Sequence, residues 1–402
     1  MNNFKKKNIN SEILAIADIW SYKIKIAIIK ILKDKIELLS FSEKRQSIWD
    51  IENNQIQNLD SVCENISLAI KKAEEKAQVK TDSLIINSTF SQSFLESKKI
   101  NYKRKNNKQI DKEELKIILE EVEKKVIKSN IKNIEANFLQ SKNNLELIIN
   151  HISNIYIDWK NTDNILWENW EKISFFITNI FLQKNSLENI NYIEKYLNKK
   201  IIKIIPEEFS LTRLWEKQKD VVIIDIWNSS SYIIIKNEKW DIIWARKVNI
   251  WIEKLVNKIK KNSSLTRSEI IKKIDRDDFA KQEKKEFLEI FSFILIEAIK
   301  SIIKDKVCTN NFFILWWWWN NSFFKNYFKK INFTKFDLKI SGNIKFILPD
   351  VKKIAKIENV EEILNKSNLN LISLILSYKF LLDKKQNLIE NLASKIIKNL
   401  KD

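Results

Sequence analysis

ILAIADIWSYKIKIAIIK, residues 13–30, and VVIIDIWNSSSYIIIK, residues 221–236, are two versions of one pattern set about two hundred residues apart. Each is an apolar, β-rich run that ends in Asp-Ile. Each then has a short polar turn opening on Trp, followed by a second run dense in β-branched residues. That order reads as a β-hairpin. Asp18 and Asp225 occupy the same place in the two copies, at the end of the first strand.

The turns open on Trp20 and Trp227, and tryptophan is a poor turn residue. A third oddity follows the apolar run 311–315, where Trp316, Trp317, Trp318 and Trp319 stand in succession before Asn320 and Asn321. The chain holds 14 tryptophans and one glycine in 402 residues, whereas glycine ordinarily supplies about 7% of a protein. Two readings are open. The protein is truly rich in tryptophan, or its gene uses UGA for glycine and the written sequence translates that codon as tryptophan. The abundance of Ile, Lys and Asn, all AT-rich codons, agrees with the second. With glycine restored the turns become DIGSYK and DIGNSSS, and the third site becomes a strand, a glycine loop and a helix over 322–328. Small-residue loops of this kind bring backbone amides against phosphate oxygens, while an adjacent Asp faces a metal ion.

At this length the chain is expected to form two or more domains with their own cores. The formal charge of +19 suggests anionic partners, but an AT-rich gene inflates Lys whatever the function, so the charge is weighed lightly and no nucleic-acid partner is expected. Cys63 and Cys308 are far apart with no second pair, and His151 is the only histidine. Disulfide and zinc frameworks are therefore not expected, and His151 reads as a packed or surface residue rather than a catalytic base. Lys5, Lys6 and Lys7 precede a short apolar stretch interrupted by Asp18, which is not a secretory signal. No apolar run reaches the roughly 20 residues of a membrane span, and the expected location is the cytoplasm.

Between the hairpins the spacing predicts a helix over 60–78, a strand over 82–86 and a helix over 111–128 with Leu115, Ile118, Leu119, Val122 and Val126 on one stripe. A loop or hairpin over 101–108 lies inside a small α/β insert, and strands over 145–157 and 173–182 with a turn over 167–170 follow. Beyond the second hairpin come a helical start at 251–261, a short helix over 268–274, a longer one over 284–304 and the strand 311–315.

In these pieces the chain resembles the bacterial cell-division FtsA family of the actin and sugar-kinase ATPase superfamily. The segments that carry the resemblance are ILAIADIWSYK, SIWDIENNQIQNLDSV (residues 47–62), VVIIDIWNSSS, LTRSEIIKK (residues 265–273) and FFILWWWWNNS (residues 312–322). Together they span nearly the whole chain in the family's order, and the match improves when Trp20, Trp49, Trp227, Trp244, Trp251 and the four at 316–319 are read as Gly. The resemblance implies an α/β protein of the actin-like, ribonuclease-H-like ATPase fold, two lobes around a nucleotide cleft with a small α/β insert in the first. It implies residues 12–86 and 166–218 as the first lobe and 87–165 as the insert. Residues 219–255, 256–307 and 308–382 would make the second lobe with its subdomain and return, and 383–402 a tail.

By resemblance, Asp18 and Asp225 would flank the phosphates of ATP and hold Mg²⁺, mostly through water. Ser21 and Lys23 would face the phosphates beside residue 20, and Asn228, Ser229 and Ser230 beside residue 227. Glu269 and Lys272 would lie near the ribose and adenine, with residues 316–319 closing over them; an ordinary solvated helix face is the other reading of Glu269 and Lys272. No residue is a convincing hydrolytic base, so tight ATP binding with slow or undetectable hydrolysis is expected. Indoles at 20, 227 and 316–319 would fill the nucleotide volume, and the chain as written would bind ATP poorly.

In the tail, Leu388, Ile389, Leu392, Ala393, Ile396, Ile397 and Leu400 recur at spacings of three and four, with Lys395, Lys398 and Lys401 on or beside the polar face. A basic amphipathic helix can lie in a membrane interface, and FtsA proteins end in such a helix. The alternative is a helix packed back on the protein. The implied role is to anchor the tubulin-like division protein FtsZ to the inner face of the cell membrane at the division site while self-associating into filaments. A PilM-like scaffold of pilus or envelope assembly is the second reading, and a sugar kinase the third.

Overall fold

The computed structural model describes residues 12–401 except 34, 48, 53–54, 89–91, 105–107, 139, 158–159, 163–164, 167–170, 216–219, 227–230, 238–241, 249–255, 258–259, 262, 267–268, 271–272, 274–280, 304–306, 316–330, 332, 348–356 and 386. The first lobe opens with β1 (Glu12–Ile19), β2 (Lys23–Ile31) and β3 (Ile36–Arg45), then the short hairpin β4 (Ile51–Glu52) and β5 (Gln55–Ile56). Helix α1 (Leu59–Ala77) and strand β6 (Ser83–Asn87) follow. Asn58 caps α1 by accepting from Ser61 N, and Gln78 ends it in the left-handed conformation.

The insert contains β7 (Ser93–Lys103), α2 (Lys112–Phe138), β8 (Leu145–Ile157), β9 (Lys160–Asn161) and β10 (Lys172–Gln183). The chain returns through α3 (Lys184–Leu197), β11 (Lys200–Ile205) and the one-turn α4 (Glu207–Leu211). The second lobe holds β12 (Val221–Ile226), β13 (Ser231–Lys236), β14 (Trp244–Val248), α5 (Lys281–Ile303), β15 (Asn311–Leu315) and β16 (Lys345–Phe346). Strand β17 (Ile357–Glu358) and helices α6 (Leu369–Lys385) and α7 (Leu388–Lys401) complete the described elements.

The two lobes repeat one sheet. In the first the order is β11-β6-β1-β2-β3-β17, and in the second β14-β13-β12-β15-β16. In both, the hairpin is antiparallel, and a later strand, β6 or β15, runs parallel to its first strand. A third strand, β3 or β14, lies antiparallel beside the second. The echo between residues 13–30 and 221–236 is thus a repeat of strand order and direction.

Both central sheets are covered on two faces, so β1, β2, β12 and β13 read as nearly unbroken apolar runs. Alternate β1 residues enter different cores. Leu14 and Ile16 join the core that α4, α6 and the second-lobe sheet share, whereas Ala15, Ala17 and Ile19 pack with Val62, Ile66 and Ile70 of α1. The insert has its own sheet, β7-β10-β8-β9, backed by α2. That sheet runs past residue 165, where the sequence reading ended the insert. β10 pairs along its length with both β7 and β8, and the hydrogen bonds of its ladders tie it there. Helix α2 continues ten residues beyond the expected end at 128, to Phe138, and buries Asn130 and Ile134.

Helix α7 departs from the expectation of a free membrane tail. Its Ile389, Ala393 and Ile396 pack with Leu115, Ile118, Leu119, Val122 and Val126 of α2, and Ile397 packs with Phe94, Ile134, Leu145, Leu147 and Phe181. The helix starts one residue after Asn387, whose side chain accepts from Ile389 N. The connector after α6 is short, and the apolar stripe packs on the insert. Lys395 and Lys398 remain exposed, and Leu392 is half-buried. The side chains of Leu388 and Leu400 lie outside the described residues. No described helix is long and apolar enough to cross a membrane.

Candidate nucleotide site between the lobes

Asp18 and Asp225 are each the next-to-last residue of a hairpin's first strand, facing Lys25 across β1–β2 and Tyr232 across β12–β13. Because the two sheets share one strand order, the repeat brings both carboxylates to the cleft between them. Asp18 is fully buried. Asn87, the last residue of β6, donates Nδ2 to Asp18 Oδ1 at 2.6 Å, and its Oδ1 accepts from Ile19 N at 3.1 Å. Asp18 Oδ2 has no hydrogen-bond partner. Burial pushes the Asp18 carboxyl up to about 6, opposed by the Lys25 ammonium and a hydrogen bond from Trp20.

Lys25, not Lys23, is the cation beside Asp18. Its side chain is 2% exposed, donates to the Ser367 carbonyl and lies 4.4 Å from the Trp20 ring centroid. Burial lowers its pKa and the Asp18 charge raises it in part. Lys23 instead pairs with Glu43 at 2.7 Å near the surface. Two residues apart on β2, the two lysines share a face, and the one deeper in the strand enters the cleft.

A third carboxylate was missed in the sequence. Glu207, the first residue of α4, is buried beside Asp225 and bonded by Asn370 Nδ2. Burial holds its carboxyl well above the usual range, and the charge of Asp225, a hydrogen bond with Asp225 and the charge of Asp18 raise it further. Two carboxyls in such contact hold a proton between them rather than ionise together. The signal was present as Pro206-Glu207-Glu208 following the apolar run of β11, since acidic residues just inside an otherwise buried turn need a partner.

Trp20 is a half-buried turn residue whose indole Nε1 donates to Asp18 Oδ1. Its backbone N donates to Lys23 O at 2.9 Å, closing the turn that also holds Ser21. Glu269 closes a capping box, its Oε2 accepting from Thr266 N at 2.8 Å and Thr266 Oγ1 at 2.7 Å. Trp227, Asn228, Ser229, Ser230, Lys272 and Trp316–Trp319 lie outside the described residues. Among the described tryptophans none has a positive φ, so the backbone at 20, 49, 215 and 244 does not itself demand glycine. Trp215 is buried against Phe313, with ring centroids 4.0 Å apart.

The site fits a hydrated magnesium phosphate in its charges. Two buried aspartates sit at equivalent strand ends, and Asp18 has both an unpartnered oxygen and a buried ammonium beside it. Among the described residues no three Asp, Glu, His or Cys side chains converge as a metal cage, and Mg²⁺ there would keep water and phosphate oxygens as most of its ligands. The Trp20 indole fits less well, because its N–H takes an Asp18 oxygen that a bound water would use.

No protein-family model matches the sequence, and no curated protein matches it. Among solved structures, the PilM–PilN type IV pilus biogenesis complex matches with a TM-score of 0.59 at 8% identity, over 95% of this chain and 97% of that one. The ethanolamine utilization protein EutJ from Carboxydothermus hydrogenoformans matches with a TM-score of 0.40 at 8% identity, over 81% of this chain and 82% of that one. A protein of unknown function with an actin-like ATPase fold from Bacteroides thetaiotaomicron gives 0.36 at 8% identity, over 85% of this chain and 93% of its own. With its repeated sheets and the cleft aspartates at matching strand ends, the chain has the actin-like ATPase fold.

Proposed function

We propose that the chain is an ATP-binding protein that works as a membrane-associated, self-assembling division factor of the FtsA type. The observation that supports nucleotide binding is the placement of Asp18 and Asp225 at equivalent strand ends, both buried, with Lys25 beside Asp18. Bound Mg²⁺ would neutralise phosphate charge. Asp18 and Asp225 would hold it through water and Lys25 would meet a phosphate oxygen, while Asn87 bonds Asp18 and fixes its rotamer. On this reading binding is expected to be tight relative to turnover. The glycine reading of Trp20, Trp227 and Trp316–Trp319 belongs to this proposal, since glycine at 20 frees the Asp18 oxygen that the indole holds.

Fluorescent ATP titration tests the site. Asp18→Asn and Asp225→Asn are each expected to lose Mg²⁺-dependent binding at least tenfold, and equal affinity in both variants would sink the assignment. Tandem mass spectrometry of the native peptide spanning 311–325 tests the codon reading, with glycine at 316–319 expected.

The division reading has FtsZ and an anionic membrane as partners. The second reading is a PilM-like scaffold of pilus or envelope assembly, which the fold likeness to the PilM–PilN complex over 95% of this chain supports. Capture by an immobilised FtsZ C-terminal peptide separates the two. Failure to bind it, with ATP binding intact, favours the scaffold.

A further inference from the structure

Helix α4 joins the cleft to the C-terminal helix through one buried cluster. It is one turn long, and all five of its residues are buried. At its start Glu207 meets Asp225 and Asn370. Two residues on, the Phe209 ring lies edge-on to His151 of β8, 5.8 Å between centroids, and 6.2 Å from Phe380 of α6. Phe380 itself lies 5.3 Å from His151. Arg213 lies over both phenyl rings, 5.1 Å and 4.1 Å from their centroids.

On its other side His151 reaches α7. Its Nδ1 is 3.1 Å from Glu390 Oε1, and the same oxygen accepts from Ile152 N at 3.2 Å. Glu390 is 8% exposed and sits among the apolar residues that dock the helix. A buried pair of this kind adds little net stability over an apolar contact, yet leaving one partner behind is costly. The apolar stripe therefore supplies the attraction, and the pair fixes a single seated position that is either made or broken.

We propose that α7 is a latch on the insert, with His151–Glu390 as its catch, and that α4 links release of the catch to ligand occupancy of the cleft. The proposal rests on the ATP reading for the identity of the cleft ligand. A hydrated cation between Asp18 and Asp225 draws on the Asp225 oxygens. Glu207, which abuts Asp225 and is held by Asn370, shifts with it. Because α4 is a single turn packed on every side, the shift reaches Phe209 as a rigid displacement and loosens His151 from Glu390. The freed apolar stripe, flanked by Lys395 and Lys398, then has an anionic bilayer as its partner. The linkage is reciprocal, so a bilayer that holds α7 tightens the cleft ligand by the same factor.

Hydrogen exchange of the α7 amides in the full chain tests this, with the β10 amides as the folding control. In ligand-free protein, Glu390→Ala is expected to speed α7 exchange at least tenfold with β10 unchanged. Glu390→Gln, which keeps the acceptor for Ile152 N, should fall nearer the parent. Phe209→Leu should speed α7 exchange without ligand, and Mg-ATP should do so in the parent. Equal α7 protection in Glu390→Ala removes the catch. Unchanged α7 exchange in Phe209→Leu, or in a parent shown by titration to be ATP-loaded, removes the link. If the parent binds no ATP, the nucleotide reading fails by itself, and the Phe209→Leu result decides the link. Sedimentation with phosphatidylglycerol vesicles identifies the released partner. Glu390→Ala should pellet at least threefold more than the parent, and no increase overturns the membrane arm.

Discussion

At the cleft, one indole decides what the aspartate beneath it can do. Trp20 donates to Asp18 and stacks under Lys25, so it competes with any ligand for both. Trp20→Gly is expected to raise Mg-ATP affinity at least tenfold by labelled-ATP anisotropy, and an unchanged affinity would mean that the indole does not obstruct the site. Glu123 of α2 makes a second residue-level case. It is buried, accepts from Asn150 Nδ2 at 3.0 Å, and has the charge of Glu390 nearby. Burial pushes its carboxyl up to about 8. The folded state then binds this proton more tightly than the unfolded chain does. Stability is full below the ordinary carboxyl range and is lost as pH rises from there toward 8, by about 1.4 kcal/mol for each unit between the two pKa values. Glu123→Gln is therefore expected to melt higher than the parent at pH 8, with the gap closing toward pH 4.5. A constant gap across that range would contradict it.

Helices and strands differ in how openly their sequences declared them. The hairpins, α1, β8, β10 and β15 were legible because each is periodic or continuously apolar over its length and bounded by polar residues. The β10 assignment to the insert was not legible, since a buried strand carries no mark of the sheet it joins. Nor was α4, because five residues are too few for a period to show. The stripe on α7 was read correctly as apolar, yet periodicity cannot say whether lipid or protein covers it. The asparagine that starts α7 offers a local test. Asn387→Ala removes the acceptor for Ile389 N and is expected to cost about 1 kcal/mol, seen as faster exchange in the first turn of α7. Ile396→Asp places a charge in the α2 contact, and its midpoint in urea should fall by the equivalent of several kcal/mol.

As a whole, the molecule repeats one sheet in its two lobes, with Asp18 and Asp225 at equivalent strand ends. This much was legible from sixteen to eighteen residues read twice, because the repeat preserved the Asp-Ile ending as well as the strands. Residues 227–230 and 316–319 lie outside the described residues, and no pattern of strands discloses whether glycine or tryptophan stands there. At this scale ATP is expected to draw the lobes together, since Asp18 and Asp225 belong to different sheets and would hold one cation between them. A smaller radius of gyration by X-ray scattering on adding Mg-ATP would show it, and an unchanged curve at saturating nucleotide would not allow it.

The seating of α7 on the insert also sets an order of events during synthesis. Phe94 and Leu115 enter cores that Ile397 and Ile396 complete, so the insert waits for both lobes to be translated before its last apolar surface is covered. Until then a growing chain carries that surface in the open, and the same stripe of another nascent copy fits it as well as its own. Crowded translation of this message therefore favours exchange of the final helix between neighbours, a hazard that chaperone binding to the exposed insert would reduce.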